Sequence, residues 1–237
     1  MPRFILMTIS YLVSLILTFS SFFVNINGQS MLEIANRFSV VFAPVSVSHV
    51  IWILIYFLLG YWLVMNIKKT TMKQSALFSC INILQALMIY VWHHELFIVS
   101  LGITLLLVLY LFMLYNTYPL HDKAMSGRIP FSIYFAWMTF IFITNISFTL
   151  TAYGWNGFGL STPLWAVILL TLGGALALHI RFHHFDILFP SVFIWAYIGI
   201  ALHNGFDELL VTTAAFFLCG VLFVGILFIK KNPAYQK

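Results

Sequence analysis

Long apolar runs separated by short polar breaks set the rhythm of this chain. A helix needs about 20 apolar residues to cross the hydrocarbon of a bilayer. By that measure the runs predict eight spans, near 4–24, 47–66, 75–92, 96–116, 130–151, 163–180, 186–203 and 209–229. The breaks carry loop chemistry, as in NINGQS, KKTTMK, WHHEL, YPLHDKAMSGR, YGWNGFGLSTP, HIRFHHF and HNGFDE. Those at 93–95, 181–185 and 204–208 are so short that the helices they join must be antiparallel neighbours. No small-x-small cleavage site follows the first run, so it is expected to stay as a spanning helix, with a cleaved signal peptide as the alternative. Segment 25–46 holds a short amphipathic piece, Met31, Ile34, Ala35 and Phe38, expected to lie along the outer interface.

Composition agrees with the pattern. Hydrophobic residues make up 62% of the chain and charged residues 7%, against about 45–50% and about 25% in soluble domains. So few charges cannot cover the surface of a water-soluble fold. The fold class expected is an all-α integral membrane protein with about eight transmembrane helices. Its net charge of +5 then bears on orientation and gives no reason to expect a nucleic-acid partner. With eight spans, both termini and the loops at 67–74, 117–129 and 181–185 share one side. That side holds Arg3, Lys68, Lys69, Lys73, Lys123, Arg128, Arg181, Lys230, Lys231 and Lys237, leaving only Arg37 opposite. Four acids, Glu33, Glu95, Asp207 and Glu208, fall with Arg37. The positive-inside rule therefore predicts a multi-pass cell-membrane protein with both termini cytoplasmic. Cys80 and Cys219 lie inside apolar runs and read as small core residues.

Polar and aromatic residues inside the spans change the picture, because polar groups at depth tend to face a bundle interior or a cavity. On the second span His49, Trp52, Tyr56 and Gly60 follow i, i+3, i+7, i+11. Asn82, Gln85 and Trp92 share one face of the third span. Tyr134, Trp137 and Asn145 share one face of the fifth, with Thr144 beside them. Together these faces would line an aromatic pocket in the outer half of the membrane, suited to a flat apolar ligand with weakly polar edges. A second reading stands beside it, since Trp and Tyr also gather in belts at membrane boundaries. Trp62, Trp155 and Trp165 are expected there. Trp52, Trp137 and Asn145 are open between ligand contact and packing between helices, and Asn82 and Gln85 read first as interhelical hydrogen bonders.

At these residues the sequence resembles the TspO/MBR family of tryptophan-rich sensory and translocator proteins. Pro44, Trp52, Tyr56 and Gly60 fall at the spacing of that family's second helix, and Trp137 and Asn145 match the Trp and Asn of its fifth. Ile81-Asn82-Ile83-Leu84-Gln85 partly matches a third-helix Leu-Asn-x-x-Trp element. Ala43 departs from a Pro-Pro pair, Ser46 from a nearby Trp, and Gln85 from the third-helix Trp. The motifs cover roughly 1–152, a five-helix unit, and leave 153–237 as three additional spans with a short tail.

The resemblance implies packed antiparallel helices around a hydrophobic pocket that takes a porphyrin or, in some members, a sterol. It also implies a homodimer. Roles ascribed to the family run from receptor and sensor to transporter and porphyrin-degrading catalyst. On this reading Trp52 and Tyr56 would stack on the ligand and Gly60 would allow close helix approach. Trp137, Asn145 and Asn82 complete the ligand set. His49 is open between a contact to porphyrin iron or propionate and a satisfied interface histidine.

The remaining histidines raise an enzyme alternative. His179-x-x-x-His183-His184 has the spacing of one histidine box of membrane di-iron oxygenases, which require about eight such ligands on one side of the membrane. The predicted topology puts His121, His179, His183 and His184 inside but His49, His93, His94 and His203 outside, which argues against that chemistry. His93-His94-Glu95 could bind a stray metal from outside, but reads first as a tight turn. No nucleophile–base set, HExxH helix or P-loop is present in the sequence, so no catalytic or metal residue is assigned and no cofactor is required. The function expected is a membrane receptor or sensor binding a hydrophobic small molecule, a tetrapyrrole above all. A small-molecule permease is the first alternative, and an enzyme built on His179, His183 and His184 the second.

Overall fold

A computed structural model describes residues 2–229 apart from Ser39, Lys68 and His121, and leaves out the side chain of Pro2. Lys68, His121, Lys230, Lys231 and Lys237, used above for orientation and the histidine tally, lie outside the described residues. The chain folds as helices α1 (Pro2–Phe23), α2 (Met31–Arg37), α3 (Ile51–Met65), α4 (Met72–His93), α5 (Phe97–Tyr115), α6 (Ile129–Ala152), α7 (Thr162–His184), α8 (Leu188–Asn204) and α9 (Leu209–Phe228). Among the described residues seven stretches are long and apolar enough to cross a membrane, α3 qualifying only together with the 3-10 turn before it, as Ser46–Met65. α8 is the eighth predicted span and has 17 residues, the lower end of the length a bilayer core demands. The protein is thus an all-α membrane protein.

Local chemistry explains the helix boundaries. Ser30 and Glu33 cap α2 reciprocally, and Thr71 and Gln74 do the same for α4. Proline stands in the first turn of α6 and of α7, where its missing N–H costs nothing. Asp186 opens α8 by accepting from the backbone N–H groups of Leu188 and Phe189, and Gly205 closes it at φ 51°.

The helices fall into two compact units. The first holds α1 to α6. Within it α4 packs between α1 and α5, α5 packs on α6, α6 on α3, and α3 on α1, so five long helices close a circuit. Gly60 on α3 serves a close approach: a Cβ there would lie 2.7 Å from the Tyr11 hydroxyl, which donates to the Tyr56 carbonyl at 2.8 Å. The predicted amphipathic piece is α2, but it does not simply lie on the interface. Ile34 is completely buried, and Phe38 sets its ring edge-on against Phe97 and Phe148. Arg37, the one base expected on the outer side, pairs with Glu95 at 2.6 Å.

Trp62 corrects an expectation. Instead of facing lipid in a belt it is fully buried, stacked on Phe78 and edge-on to Phe131 with both ring centroids 4.9 Å away. Its Nε1 donates to the Tyr118 hydroxyl at 2.8 Å. Burial pushes the Tyr118 phenol up to about 12, against the lowering effect of that bond, so the hydroxyl stays protonated through the neutral range.

The second unit holds α7, α8 and α9 with residues 40–50, whose Ser46–Val50 turn is a 3-10 helix packed on α8. Gly199 makes that seat: a Cβ there would lie 2.1 Å from Ser48 Oγ. Val45 N–H donates to the Gly199 carbonyl, and Trp195 Nε1 to the Ser48 carbonyl. Arg181 is buried and spends its guanidinium on the Ile226 and Ile229 carbonyls at the end of α9. Trp155 and Trp165 lie half-buried beside each other, 4.9 Å between rings, at the start of α7.

Candidate functional site

The aromatic stripe of α3 faces the interior of the first unit. Trp52 and Tyr56 are both buried, with ring centroids 5.8 Å apart and planes 30° apart. Tyr134 of α6 meets Trp52 edge-on at 5.8 Å. Each phenol is tied to another helix. The Tyr56 hydroxyl lies 2.7 Å from both Ser14 Oγ and Thr18 Oγ1 of α1, and the Tyr134 hydroxyl donates to Gln85 Oε1 of α4 at 3.3 Å. Gln85 thus serves as a polar partner to an aromatic ring.

Trp137 is fully buried on α6 with its ring 5.4 Å from Phe140. Asn145, two turns further on, donates from Nδ2 to Thr104 Oγ1 of α5 at 2.9 Å, and Thr104 in turn donates to the Ser100 carbonyl. That amide therefore bonds between helices. Asn82 does not: its Nδ2 donates back to the Phe78 carbonyl of its own helix at 2.9 Å. Its Oδ1 is buried without a partner.

Asn82 is not alone on α4. Ser79 Oγ, Trp92 Nε1 and His93 Nε2 are also buried and unpartnered. At 3.6 residues per turn Asn82, Gln85, Ile89, Trp92 and His93 share one face of that helix within an arc of about 100°. A buried polar group without a partner costs about 1–3 kcal/mol, so a row of them along one helix asks for an explanation.

His49 sits in the 3-10 turn Ser46–Val50, with Nδ1 3.2 Å from the Ser46 carbonyl. At the end of α7 the rings of His179 and His183 lie 4.3 Å apart on an exposed face. Among the described residues no group of three or more His, Cys, Asp or Glu side chains is arranged to hold a metal ion.

Sequence reasoning passed over Ser14 and Thr18. The signal was present, since Ser10, Ser14, Thr18 and Ser21 recur at i, i+4, i+8, i+11 along α1, and all four are buried. It also took His93 for part of a turn, whereas His93 ends α4 and is buried.

Comparison with protein families places this arrangement. Residues 4–228 match the family described as TSPO-like protein. The match runs through the last three helices and so extends well beyond the 1–152 covered by the motifs. No curated protein and no solved structure shows a significant match. With a family match from the first spanning helix to the last, the chain belongs to the TSPO-like proteins.

Proposed function

We propose that this protein binds a flat hydrophobic small molecule, a tetrapyrrole in preference to others, inside the first unit, and that it acts as a sensor or store for that ligand. The observation that carries this reading is the row of buried, unpartnered polar atoms on α4, at Ser79, Asn82, Trp92 and His93, in the unit that also holds Trp52, Tyr56 and Tyr134. A ligand with a large apolar face and a few polar edges suits such a lining. Trp52 and Tyr56 would stack on it, Trp137 would wall it, and Asn82 would offer its free carbonyl oxygen. Asn145 would hold α5 to α6 beside the site.

The same reading puts the protein in the cell membrane with both termini cytoplasmic. The even number of predicted spans and the gathering of bases support that orientation, although two of those bases, Arg128 and Arg181, are buried in structural roles. The homodimer implied by the family remains part of the proposal.

The test is a titration of detergent-purified protein with free-base protoporphyrin, followed by tryptophan fluorescence, beside Trp52→Phe and Trp137→Phe. Saturable micromolar quenching, weakened in both variants, is the expected result. Quenching that never saturates and is the same in all three proteins would overturn the assignment.

A further inference from the structure

Histidines in this chain differ in what holds their rings. His49, His93 and His94 each place Nδ1 within hydrogen-bonding distance of a carbonyl on their own stretch of backbone, that of Ser46, Ile89 or Tyr90. His179 and His183 of α7 have ring contacts instead. Their centroids lie 4.3 Å apart, and Phe182 meets His183 edge-on at 5.0 Å. Both side chains are exposed on the surface of the protein, and among the described residues no hydrogen bond engages either ring.

Residues i and i+4 of a helix lie one above the other. In H-E-x-x-H sites the same spacing lets two imidazoles of one helix share a zinc ion. A ring nitrogen binds zinc at about 2.0–2.1 Å, so two nitrogens on one ion stand about 3–3.5 Å apart. Rings with centroids 4.3 Å apart reach that separation by turning about their side-chain bonds, with no movement of the helix. Imidazole suits copper, zinc and nickel, and copper binds a nitrogen site most tightly among the first-row divalent ions.

The surroundings favour a cation. His183 lies in the last turn of α7, where the helix dipole presents its negative end. Arg181, between the two histidines, does not compete. Two residues put it about 200° round the helix from His179, where it is buried and donates to the Ile226 and Ile229 carbonyls. Leu172 and Leu176 are exposed on the histidines' own face. That face therefore runs apolar along the span and turns polar only at its end, where the hydrocarbon gives way to headgroups and water.

We propose that His179 and His183 chelate one divalent transition-metal ion of the copper and zinc class at the end of α7. Among the described residues no third His, Cys, Asp or Glu joins them, so the remaining coordination positions fall to water and the ion exchanges readily. Each imidazole gives one nitrogen lone pair, two waters leave the ion, and no oxidation state changes. The site belongs to the second unit and does not depend on the porphyrin-binding reading.

Full-length protein without a histidine tag, in non-ionic detergent, is titrated with Cu2+ by equilibrium dialysis, and electron spin-echo modulation counts the imidazoles on the bound copper. The expected result is one copper with two imidazoles in the wild type and in His184→Ala. In His179→Ala or His183→Ala one imidazole remains and affinity falls about tenfold or more, since even removing a residue that only orients a metal ligand costs about that much. Excess Zn2+ should displace the copper, whereas Mg2+ and Ca2+, which take oxygen ligands, should not.

Copper bound with equal affinity in the absence of either histidine would overturn the proposal, as would fewer than two imidazoles on the copper of the wild type. Displacement by Mg2+ or Ca2+ would overturn it too, because it marks an oxygen site. Both side chains are exposed, so the metal-free variants should unfold near the wild-type midpoint. Should an alanine variant fail to fold, His179→Gln and His183→Gln replace it, with the same losses expected.

Discussion

α6 in the first unit and α9 in the second are both apolar spans, yet 72% of the most apolar stretch of α6 is buried within the protein, against 22% for α9. In lipid an exposed leucine carries no penalty, so hydrophobicity does not separate inside from outside. The polar residues do. α6 carries Tyr134, Trp137 and Asn145 into the interior of its unit, where the phenol and the amide reach α4 and α5. On α9 the threonines turn back on nearby backbone, Thr212 to the Gly205 carbonyl and Thr213 to that of Leu209. The first unit uses its polar groups to connect helices and leaves several on α4 open. The second uses them to finish helices, as Arg181 does for α9 and Asp186 for α8, and joins α8 to α7 through the Tyr197 hydroxyl on the Leu170 carbonyl.

That contrast can be broken by substitution. Trp62→Ala should cost about 3–5 kcal/mol, because a fully buried aromatic leaves a cavity, and the Tyr118 hydroxyl loses its donor. Trp155→Ala in the second unit should cost on the order of 1 kcal/mol, its ring being only half-buried. Thermal unfolding in detergent compares them, and equal losses would mean that the two tryptophans sit in equivalent surroundings after all.

A smaller effect sharpens the comparison within the second unit. Gly199→Ala should destabilise by about 1–3 kcal/mol as its methyl meets Ser48 and Pro44. Gly220→Ala, with open space around it, should leave the unfolding midpoint nearly unchanged. The porphyrin binding proposed for the first unit should survive both. The smallest effect belongs to the Arg37–Glu95 pair of the first unit. Glu95→Gln removes the Arg37 ion pair, which is about 40% exposed on each side, and should cost about 0–1 kcal/mol, vanishing at high salt.

Much of the fold was legible because a bilayer demands long apolar runs and bounded loops, and these write themselves into the chain. The cap pairs Ser30–Glu33 and Thr71–Gln74 are local and equally readable. The candidate site was legible in outline, since a period near 3.6 brings Trp52 to Tyr56 and Tyr134 to Trp137 on common faces. Which helix answers each polar group was not. Trp62 looks like a boundary residue by its place near the end of a span, and it becomes core only because Tyr118, Phe78 and Phe131 arrive from distant parts of the chain. His49 continues a helical spacing on paper, but the chain there is a 3-10 turn belonging to the other unit.

The sequence by itself thus determined the class, the spans and the faces, because hydrophobic length and helical period are properties of contiguous residues. Only the tertiary structure decided which polar atoms find partners. Ser14 and Thr18 meet Tyr56 from α1, Asn145 meets Thr104, and Asn82 Oδ1 and His93 Nε2 meet nothing. Hydrogen bonds between helices depend on which faces come within 3 Å of each other, a distance that no single helix can specify.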